Sequence, residues 1–419
     1  MKYARFVNTE VVNYNSITKM INMGDSIQAF AVENLLSYAG IDQSDIFEIP
    51  LYSKHVAPEP CYLVLQGHFG RQYEMSFMDD TNIHPIFIGF GLKDSFLLPK
   101  EIEYYKRYEP ILCRDEFTKN VLTKYGIEAY ISGCLTETFP KRPSGNNNKR
   151  NKYYFVDVKE PFLKLIPQKI KQEAVFTSQN VYIDEIVESN KKWGERKVKE
   201  RIEEYKENAK MVITPKLHCM MPCMALGIPT IAVGNNFSYR YTFADAFIEA
   251  YDEEGFKKFD WGIPEEKVDT ERIKKLLLDV GKSLLEQNPD MDKIKQLDDV
   301  YTDRKKWNYC QGIKEQLKKI FKDVDKPEYI LWGASAGGYT VHAAINELWP
   351  ENKLLEIVDS FAKGIFAGKE VKKPQKTICK YPKAIVIVST ISGRESAENI
   401  LQEMGKENGK DYFFLHESE

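Results

Sequence analysis

The feature that most constrains this chain is a series of short apolar runs, each separated from the next by a longer helical pattern. The runs are rich in β-branched and aromatic residues and read CYLVLQG, PIFIGFGL, EAYISG, KYYFVDV, MVITP, TIAVG, YILWGAS and AIVIVST. A strand that is apolar along its whole length is typical of a parallel sheet covered by helices on both faces. The pattern therefore predicts an α/β fold with doubly wound, Rossmann-like domains.

The length of 419 residues predicts two or three domains, because a single core rarely grows so large. A polar stretch over residues 140–152, PKRPSGNNNKRNK, has the composition of an interdomain linker. Two helical patterns over residues 269–321 are expected to close the second domain and to lead into a third. We therefore predict a first Rossmann-like domain over 1–150, a second with its closing helices over 151–322, and a small third one over 323–419.

The charge balance excludes a globally basic nucleic-acid binder, since 59 Lys and Arg residues stand against 62 Asp and Glu residues, for a formal net charge of -3. The amino-terminal segment lacks the apolar core of a signal peptide, and no apolar run is long enough to cross a membrane. Seven scattered cysteines favour reduced thiols and predict a cytoplasmic protein. Cys219 and Cys223 have no second pair nearby, so we expect them to be buried rather than to bind zinc.

The first candidate site is the sequence Asn-Met-Gly-Asp-Ser-Ile-Gln at residues 22–28. An amphipathic helix begins here, for which Asp25 is the expected cap and Gly24 the expected tight turn before it. A helix N-terminus at the carboxyl edge of a parallel sheet can bind an anion or a sugar. The same residues are equally compatible with an ordinary capped helix.

A second candidate is Arg114, which follows the apolar strand YEPILC and precedes a helix that contains Thr118. An arginine at that edge of the sheet can bind a carboxylate or a phosphate through two parallel hydrogen bonds. A salt-bridged helix start is the alternative interpretation. His68, at the carboxyl end of the strand YLVLQG, is a candidate for contact with an acceptor at the same edge.

The third candidate is the segment from Lys216 to Gly227, KLHCMMPCMALG, which follows a buried strand. The strand is expected to deliver Lys216 and His218 to the start of a helix, where the helix dipole favours anions. The dipole and the lysine both lower the pKa of a histidine, which predicts a neutral His218 that is able to accept a proton. A core histidine bonded to a carbonyl is the alternative interpretation.

In this order the three motifs resemble those of the polysaccharide pyruvyl transferase family, over roughly residues 10–290. Further matches are VLQGHF, HPIFIGF, SGCLTETF and DWGIPEEKVD. The resemblance implies a glycosyltransferase-B-like arrangement of two domains. It also implies transfer of a pyruvyl group from phosphoenolpyruvate to a sugar of a capsule, exopolysaccharide or cell-wall glycan precursor, as a cyclic ketal. Lys216 departs from the family pattern, which usually has an arginine there, and lysine lacks the two-pronged geometry of a guanidinium.

Carried onto this chain, the resemblance implies that Arg114 and Lys216 bind the donor's phosphate and carboxylate, with His218 as general acid or base. Further donor or substrate contacts are implied for Gly24, Asp25, His68, Thr118 and Leu217. No metal or cofactor is required beyond phosphoenolpyruvate as donor substrate. The acceptor is expected to be a glycan or a lipid-linked sugar, which leaves room for peripheral contact with the inner face of the membrane. Assembly into a homo-oligomer is also left open.

The carboxyl-terminal part begins with YILWGASAGGYTVH and predicts a strand, a glycine turn, a helix and a second strand. Its acidic residue lies about twenty residues beyond the glycines, as recognition of a ribose requires. The candidate ligand-binding residues are Gly333, Ser335, Gly337, Gly338 and Asp359. The segment resembles the small Rossmann domain of bacterial sugar-modifying enzymes, which implies a nucleotide or nucleotide-sugar ligand. A scaffolding role is equally open.

Two other functions stay open at this point. A nucleotide-sugar-dependent glycosyltransferase on the same architecture is favoured by Lys216 and by the appended carboxyl-terminal part. A non-catalytic glycan-assembly subunit is disfavoured, because such a protein needs none of Arg114, Lys216 and His218.

Overall fold

The computed structural model describes residues 1–7, 12–13, 19–51, 53–70, 73–93, 97–144, 149–183, 190–235, 237–262, 268–302, 307, 309–390 and 393–415. Within these residues the chain forms fourteen α-helices, five short 3-10 helices and four β-sheets.

The first part of the chain, up to residue 144, alternates strands with helices. Its strands are β1 (Lys2–Val7), β2 (Val12–Asn13), β3 (Lys19–Asn22), β4 (Ile46–Pro50), β5 (Cys61–Phe69), β6 (Ile83–Leu92), β7 (Ile111–Cys113) and β8 (Ala129–Ile131). Its helices are α1 (Met23–Tyr38), α2 (Pro99–Arg107) and α3 (Glu116–Lys124). Six strands form one parallel sheet in the order β4-β1-β5-β6-β7-β8. The central strands β5 and β6 are buried along nearly their whole length, as their continuous apolar sequences predict.

The second part of the chain forms a five-stranded parallel sheet in the order β10-β9-β12-β13-β14. The strands of this part are β9 (Lys152–Val156), β10 (Ala174–Thr177), β11 (Asn180–Ile183), β12 (Ala209–Thr214), β13 (Thr230–Val233) and β14 (Glu249–Tyr251). Its helices are α4 (Phe162–Leu165), α5 (Gln168–Gln172), α6 (Asn190–Asn208), α7 (Leu217–Ala225) and α8 (Glu253–Lys257).

A small antiparallel sheet of β2, β3 and β11 joins the two parts. Its strand β3 runs directly into α1, and the Met23 N–H donates to the Gln179 carbonyl oxygen at 3.2 Å. This pairing brings the start of α1, which belongs to the first sheet, beside the start of α7, which belongs to the second.

The next three helices are α9 (Thr270–Leu285), α10 (Met291–Thr302) and α11 (Gln311–Ile320). Helix α9 contacts α1 and β6 as well as α7, and α10 contacts β8. Lys119 Nζ lies 2.7 Å from Asp298 Oδ2, and Asp298 Oδ1 accepts the Ile131 N–H at 2.6 Å, so α10 is bonded to the first sheet. Helices α9 and α10 therefore contact the first sheet, and α9 also contacts α7 of the second part. The apolar face of α9 packs directly on Leu35 of α1, where Gly281 permits a close approach. The assignment of these helices to the second domain stays a prediction.

The carboxyl-terminal module forms a sheet in the order β17-β18-β16-β15-β19-β20, parallel except for β17. Its strands are β15 (Glu328–Trp332), β16 (Lys353–Val358), β17 (Ile365–Phe366), β18 (Lys369–Lys372), β19 (Ile385–Val388) and β20 (Tyr412–Phe414). Its helices are α12 (Ala336–Leu348), α13 (Pro374–Ile378) and α14 (Arg394–Glu403). Three sheets of parallel strands with helices between them confirm the predicted α/β class. The glycosyltransferase-B-like arrangement and the domain boundaries stay predictions.

Candidate active site

A cavity of about 230 Å³ lies between the carboxyl ends of the first sheet's strands and the start of α7. Strands β1 and β5 contribute their last residues, while β6 and β7 contribute the residues that directly follow them. Helix α1 contributes one face of its first turns. The polar side chains that line the cavity are Asn22, Asp25, Gln28, Gln66, His68, Lys93, Arg114, His218 and Arg240.

The start of α1 is fixed by Asn22 rather than by Asp25, which the sequence suggested as the cap. The Asn22 side chain accepts a hydrogen bond from the Gly24 N–H at 2.9 Å, and the helix begins at Met23. Asp25 therefore lies inside the first turn and lines the cavity. An asparagine satisfies the first free N–H groups of a helix as well as an aspartate does, and here the strand β3 ends at that residue.

Gly24 is needed for close packing and not for a turn before the helix. A Cβ atom at this position would lie 3.0 Å from His218 Nδ1 and 3.0 Å from Asn22 Oδ1. The missing side chain lets the first turn of α1 contact the imidazole of α7. The first and third sequence motifs therefore meet at this contact.

His218 lies in the first turn of α7, and its ring Nε2 is buried without a hydrogen-bond partner among the described residues. Its backbone carbonyl accepts a hydrogen bond from Gln179 Nε2 at 2.9 Å, which holds the turn in place. Burial lowers the pKa of the His218 imidazole well below its ordinary value, and the charges of Arg114 and Arg240 lower it further. The direction matches the sequence prediction, but the neighbouring charges are these arginines.

Lys216 occupies the N-cap position of α7, and its backbone N–H donates to Thr214 Oγ1 at 3.0 Å. Within the described part of the chain, Lys216 is not among the residues that line the cavity. Leu217, which follows it, is buried in the hydrophobic core between α7 and α1. The structure therefore brings His218 to the cavity but neither of the two residues before it.

Arg114 is fully buried between β7 and α3, at the place the sequence predicts. Its guanidinium Nε lies 3.5 Å from Asp115 Oδ2, while Nε and Nη1 have no hydrogen-bond acceptor among the described residues. Burial lowers the pKa of Arg114 and raises the pKa of Asp115, and the attraction between the two charges opposes both effects. A buried cation with free donors is a favourable contact for an anionic ligand.

Thr118 supports this arrangement from outside the cavity. Its Oγ1 donates to Asp115 Oδ1 at 2.8 Å and accepts the Leu92 N–H at 3.0 Å. The fully buried Thr118 thus connects the end of β6 with the start of α3. It orients the residues beside Arg114, and its hydroxyl is already engaged with protein groups.

His68 reaches the cavity from the end of β5. A Cβ atom on Gly91 would lie 3.0 Å from His68 Cδ2 and 3.2 Å from Arg114 Nη2, so this glycine allows the two side chains to lie together. Burial lowers the pKa of His68 well below its ordinary value, as do the charges of Arg114, Arg240 and Lys93. Both histidines of the cavity are consequently neutral near pH 7.

Sequence reasoning did not single out Arg240, Lys93, Gln28 and Gln66. Arg240 lies on a 3-10 turn, Tyr239–Tyr241. The Tyr241 hydroxyl donates a hydrogen bond to the Pro215 carbonyl oxygen at 3.1 Å, which fixes the position of the turn. No motif marks Arg240 or Lys93. Gln28 is the last residue of the first motif, and that position could have identified it.

The sequence profile of one family, described as polysaccharide pyruvyl transferase, matches residues 22–236, which is just over half of the chain. The chain belongs to the polysaccharide pyruvyl transferase family. The matched range begins at the Asn22 cap and contains Arg114 and His218. Arg240 and the carboxyl-terminal module of the chain lie beyond it. No curated protein matches the chain significantly.

The candidate ligand residues in the carboxyl-terminal module form a tightly packed turn. Gly333 has φ of +124°, and a Cβ atom there would lie 2.5 Å from Ser389 Oγ. Asp359 Oδ2 accepts the Ala334 N–H at 3.0 Å, and its Oδ1 accepts two further backbone N–H groups at 2.8 Å. The Asp359 carboxylate thus holds the glycine turn in shape.

The other glycines of that turn are in close contact with backbone atoms. A Cβ atom on Gly337 would lie 2.9 Å from the Ser389 carbonyl oxygen, and one on Gly338 would lie 1.9 Å from the Gly333 carbonyl oxygen. Ser335 is the N-cap residue of α12, and its side chain makes no capping hydrogen bond. The packing explains the three glycines, while a nucleotide ligand for this turn stays a prediction.

The described residues contain neither a metal-binding cluster nor a helix that could cross a membrane. No group of three His, Cys, Asp or Glu side chains there could hold a metal ion. Among the helices in those ranges, none combines the length and the apolar character that crossing a bilayer requires.

Proposed function

We propose that this protein transfers the pyruvyl group of phosphoenolpyruvate to a sugar of a surface-polysaccharide precursor, as a cyclic ketal. The observation that carries the proposal is the grouping of Lys93, Arg114 and Arg240 around a cavity that also contains His218. Phosphoenolpyruvate has a phosphate and a carboxylate, and several cations in a small cavity suit such a ligand. The family match supports a transferase of this kind.

The reaction balances without any further reagent. The methylene carbon of phosphoenolpyruvate gains a proton, and the electron deficiency passes to the carbon that bears the phosphate. One sugar hydroxyl attacks that carbon and loses its proton. The bond between the same carbon and the phosphate oxygen then breaks, and a second sugar hydroxyl attacks the carbon to close the ketal. Of the two protons released by the hydroxyl groups, one replaces the proton taken by the methylene carbon and one leaves with inorganic phosphate.

The side chains of the cavity suit these steps. Arg114 and Arg240 are suited to binding the charged groups of the donor and to stabilising the phosphate as it departs. His218 is neutral in the free protein and can accept the proton of the attacking hydroxyl, then return it in a later step. Lys216 as a second donor contact is part of the same proposal, and its position beside the start of α7 is compatible with it.

We also propose that the reaction takes place in the cytoplasm on a glycan or lipid-linked acceptor. A nucleotide or nucleotide sugar is the proposed ligand of the carboxyl-terminal module. The first statement follows from the expected pathway chemistry, in which phosphoenolpyruvate is a cytoplasmic metabolite and lipid-linked sugars are membrane-bound acceptors. The second rests on the glycine turn and on the resemblance of that segment to small Rossmann domains.

The test is calorimetric titration of the full-length protein with phosphoenolpyruvate, together with a panel of nucleotide sugars. Arg240→Met is expected to weaken phosphoenolpyruvate binding by about tenfold to a hundredfold, because one charge-assisted contact is lost. Arg107→Met is the matched control, since Arg107 is exposed at the end of α2 and is not among the residues that line the cavity. The control should bind the donor as the wild type does.

His218→Asn separates binding from chemistry. This variant should still bind phosphoenolpyruvate, yet release phosphate at least about a hundredfold more slowly when an acceptor is present. Tight binding of a nucleotide sugar with no binding of phosphoenolpyruvate would overturn the proposal and favour glycosyl transfer. Unchanged turnover in His218→Asn would remove His218 from the proton steps.

A further inference from the structure

A second cavity, of about 280 Å³, lies between α3, the Tyr239–Tyr241 turn and α12 of the carboxyl-terminal module. Its aromatic side chains are Phe117, Tyr239, Trp307, Tyr309 and Tyr339. The remaining lining residues are Glu116, Asn120, Lys314, Ala343 and Glu347. Four separate segments of the chain therefore meet around one largely aromatic cavity, which the site described above does not include.

Tyr339 meets two of the other rings at steep angles, whereas Tyr309 lies at 35° to Tyr239 and at 30° to Trp307. Phe117 and Tyr339 have ring centroids 4.4 Å apart at 77°, and Tyr239 and Tyr339 lie 6.4 Å apart at 84°. Trp307 contributes a broad indole ring that is only partly buried. Cavities with mostly aromatic walls and a few polar groups are typical binding sites for small organic ligands. Aromatic faces pack well against the C–H face of a sugar ring.

The polar groups favour a neutral, hydroxyl-rich ligand. Lys314 Nζ lies 2.6 Å from Glu347 Oε1, with the lysine side chain 8% exposed and the glutamate side chain 57% exposed. Glu116 adds a second carboxylate, so the negative charge of the lining exceeds the positive charge. A phosphate or a nucleotide is disfavoured by this balance, whereas carboxylate oxygens accept hydrogen bonds from sugar hydroxyl groups.

The second cavity shares its supporting elements with the first. Tyr239 lines the second cavity and the next residue, Arg240, lines the first. Arg114 lines the first cavity, and Glu116, two residues later, lines the second. The Glu116 N–H donates to Thr242 Oγ1 at 2.9 Å, so the two shared segments are bonded to each other.

We propose that the aromatic cavity binds a neutral sugar residue of the acceptor glycan, which gives the carboxyl-terminal module a part in acceptor recognition. A glycan with one sugar at the first cavity and another at the aromatic cavity would be held at two points. The term acceptor rests on the proposed pyruvyl transfer. Binding of a sugar in the aromatic cavity can be measured independently of pyruvyl transfer.

The experiment uses the full-length protein with free hexoses, N-acetylhexosamines and their disaccharides as probes. Saturation-transfer NMR and Trp307 fluorescence report binding, and Trp307→Phe identifies the fluorescence contribution of that ring. Tyr339→Leu is expected to lower the affinity for the bound saccharide by about tenfold or more, because an aromatic wall is lost. The same variant should bind phosphoenolpyruvate unchanged. Tyr339→Phe keeps the ring and should retain most of the saccharide affinity.

Tyr381→Leu is the matched control, because Tyr381 is a half-buried tyrosine of the same module that bonds to Glu356 away from the cavity. It should bind saccharides as the wild type does. Equal saccharide affinity in Tyr339→Leu and wild type, or no binding of any saccharide probe, overturns the inference. A change of Trp307 fluorescence on addition of uridine nucleotides, with no change on addition of saccharides, also overturns the inference. Failure of phosphoenolpyruvate alone to bind refutes the proposed function and leaves the saccharide result intact.

Discussion

Replacing Gly24 with alanine tests whether the geometry around His218 limits the reaction. The added Cβ atom would lie 3.0 Å from His218 Nδ1 and 3.3 Å from His218 Cβ, whereas ordinary contacts are 3.4–4 Å. The imidazole must therefore move by about 0.4 Å relative to α1 to remove the overlap. Reactions that depend on a positioned group lose about a hundredfold in rate per 1 Å of misplacement, so we expect kcat to fall about three- to thirtyfold.

The same substitution should leave the free energy of unfolding nearly unchanged. Alanine favours a helix over glycine by up to about 1 kcal/mol, and the small overlap costs a similar amount. The affinity for phosphoenolpyruvate should also stay within about twofold, because the atoms nearest to the new methyl group belong to Asn22 and His218 and not to the arginines. The expected signature is a lower kcat with normal stability and normal donor binding.

The assay is phosphate release from phosphoenolpyruvate in the presence of an acceptor, beside chemical unfolding of the same preparations. Gly262→Ala is the control, since a Cβ atom there would meet nothing closer than 3.7 Å. This control should match the wild type in both measurements. A Gly24→Ala protein with normal stability and undiminished kcat would refute the reasoning, because the position of His218 would then not matter. A strong loss of stability would show that Gly24 serves packing more than chemistry.

Three further predictions concern titration and packing. Burial raises the pKa of Glu137 to about 8, above its usual 4.5, so the folded chain keeps a proton that the unfolded chain loses. The free energy of unfolding of the wild type should therefore fall as pH rises from about 4.5 to about 8, by at most roughly 1.4 kcal/mol per pH unit. Urea unfolding should show a flatter profile in Glu137→Gln, and equal slopes in both proteins would contradict this. Gly338→Ala places a Cβ atom 1.9 Å from the Gly333 carbonyl oxygen and should destabilise the carboxyl-terminal module by more than about 3 kcal/mol. Amide hydrogen exchange in β15 should then become faster, and an unchanged exchange rate would be inconsistent with the packing. Binding of phosphoenolpyruvate should raise the pKa of His218, so the protein should take up protons as the ligand binds. Titration calorimetry in buffers of different ionisation enthalpy measures this proton uptake. An unchanged uptake in His218→Asn would exclude His218 as the group that takes up the proton.

The sequence was informative wherever burial on both faces imposed a long apolar run. Strands β5 and β6 were identified because helices cover both faces of the first sheet, which leaves no position for polar residues. Arg114 and His218 were found for a topological reason. In parallel sheets the residues that follow the strands lie at one edge, so a charged residue directly after an apolar run predicts a position at that edge.

Other parts of the site depend on contacts between distant segments, which single-sequence patterns do not report. Arg240 reaches the cavity from a short 3-10 turn with no motif of its own. The helix α9 is amphipathic in any arrangement, and its sequence does not say which sheet its apolar face covers. Asp359 matched the spacing of a ribose-binding residue, yet its carboxylate oxygens already accept three backbone N–H groups. Spacing alone does not separate a ligand contact from a turn contact.

The charges of the first cavity suggest why a neutral histidine is useful before the donor arrives. Burial lowers the pKa of His218, and the charges of Arg114 and Arg240 lower it further, so protonation of the imidazole is unfavourable in the free protein. An anionic donor beside the same arginines would cancel part of their charge and so remove part of the lowering, while the effect of burial stays. The imidazole thus becomes a better proton carrier only when the donor is bound. On the proposed function, the readiness of His218 to carry a proton would therefore depend on whether the anionic donor is bound.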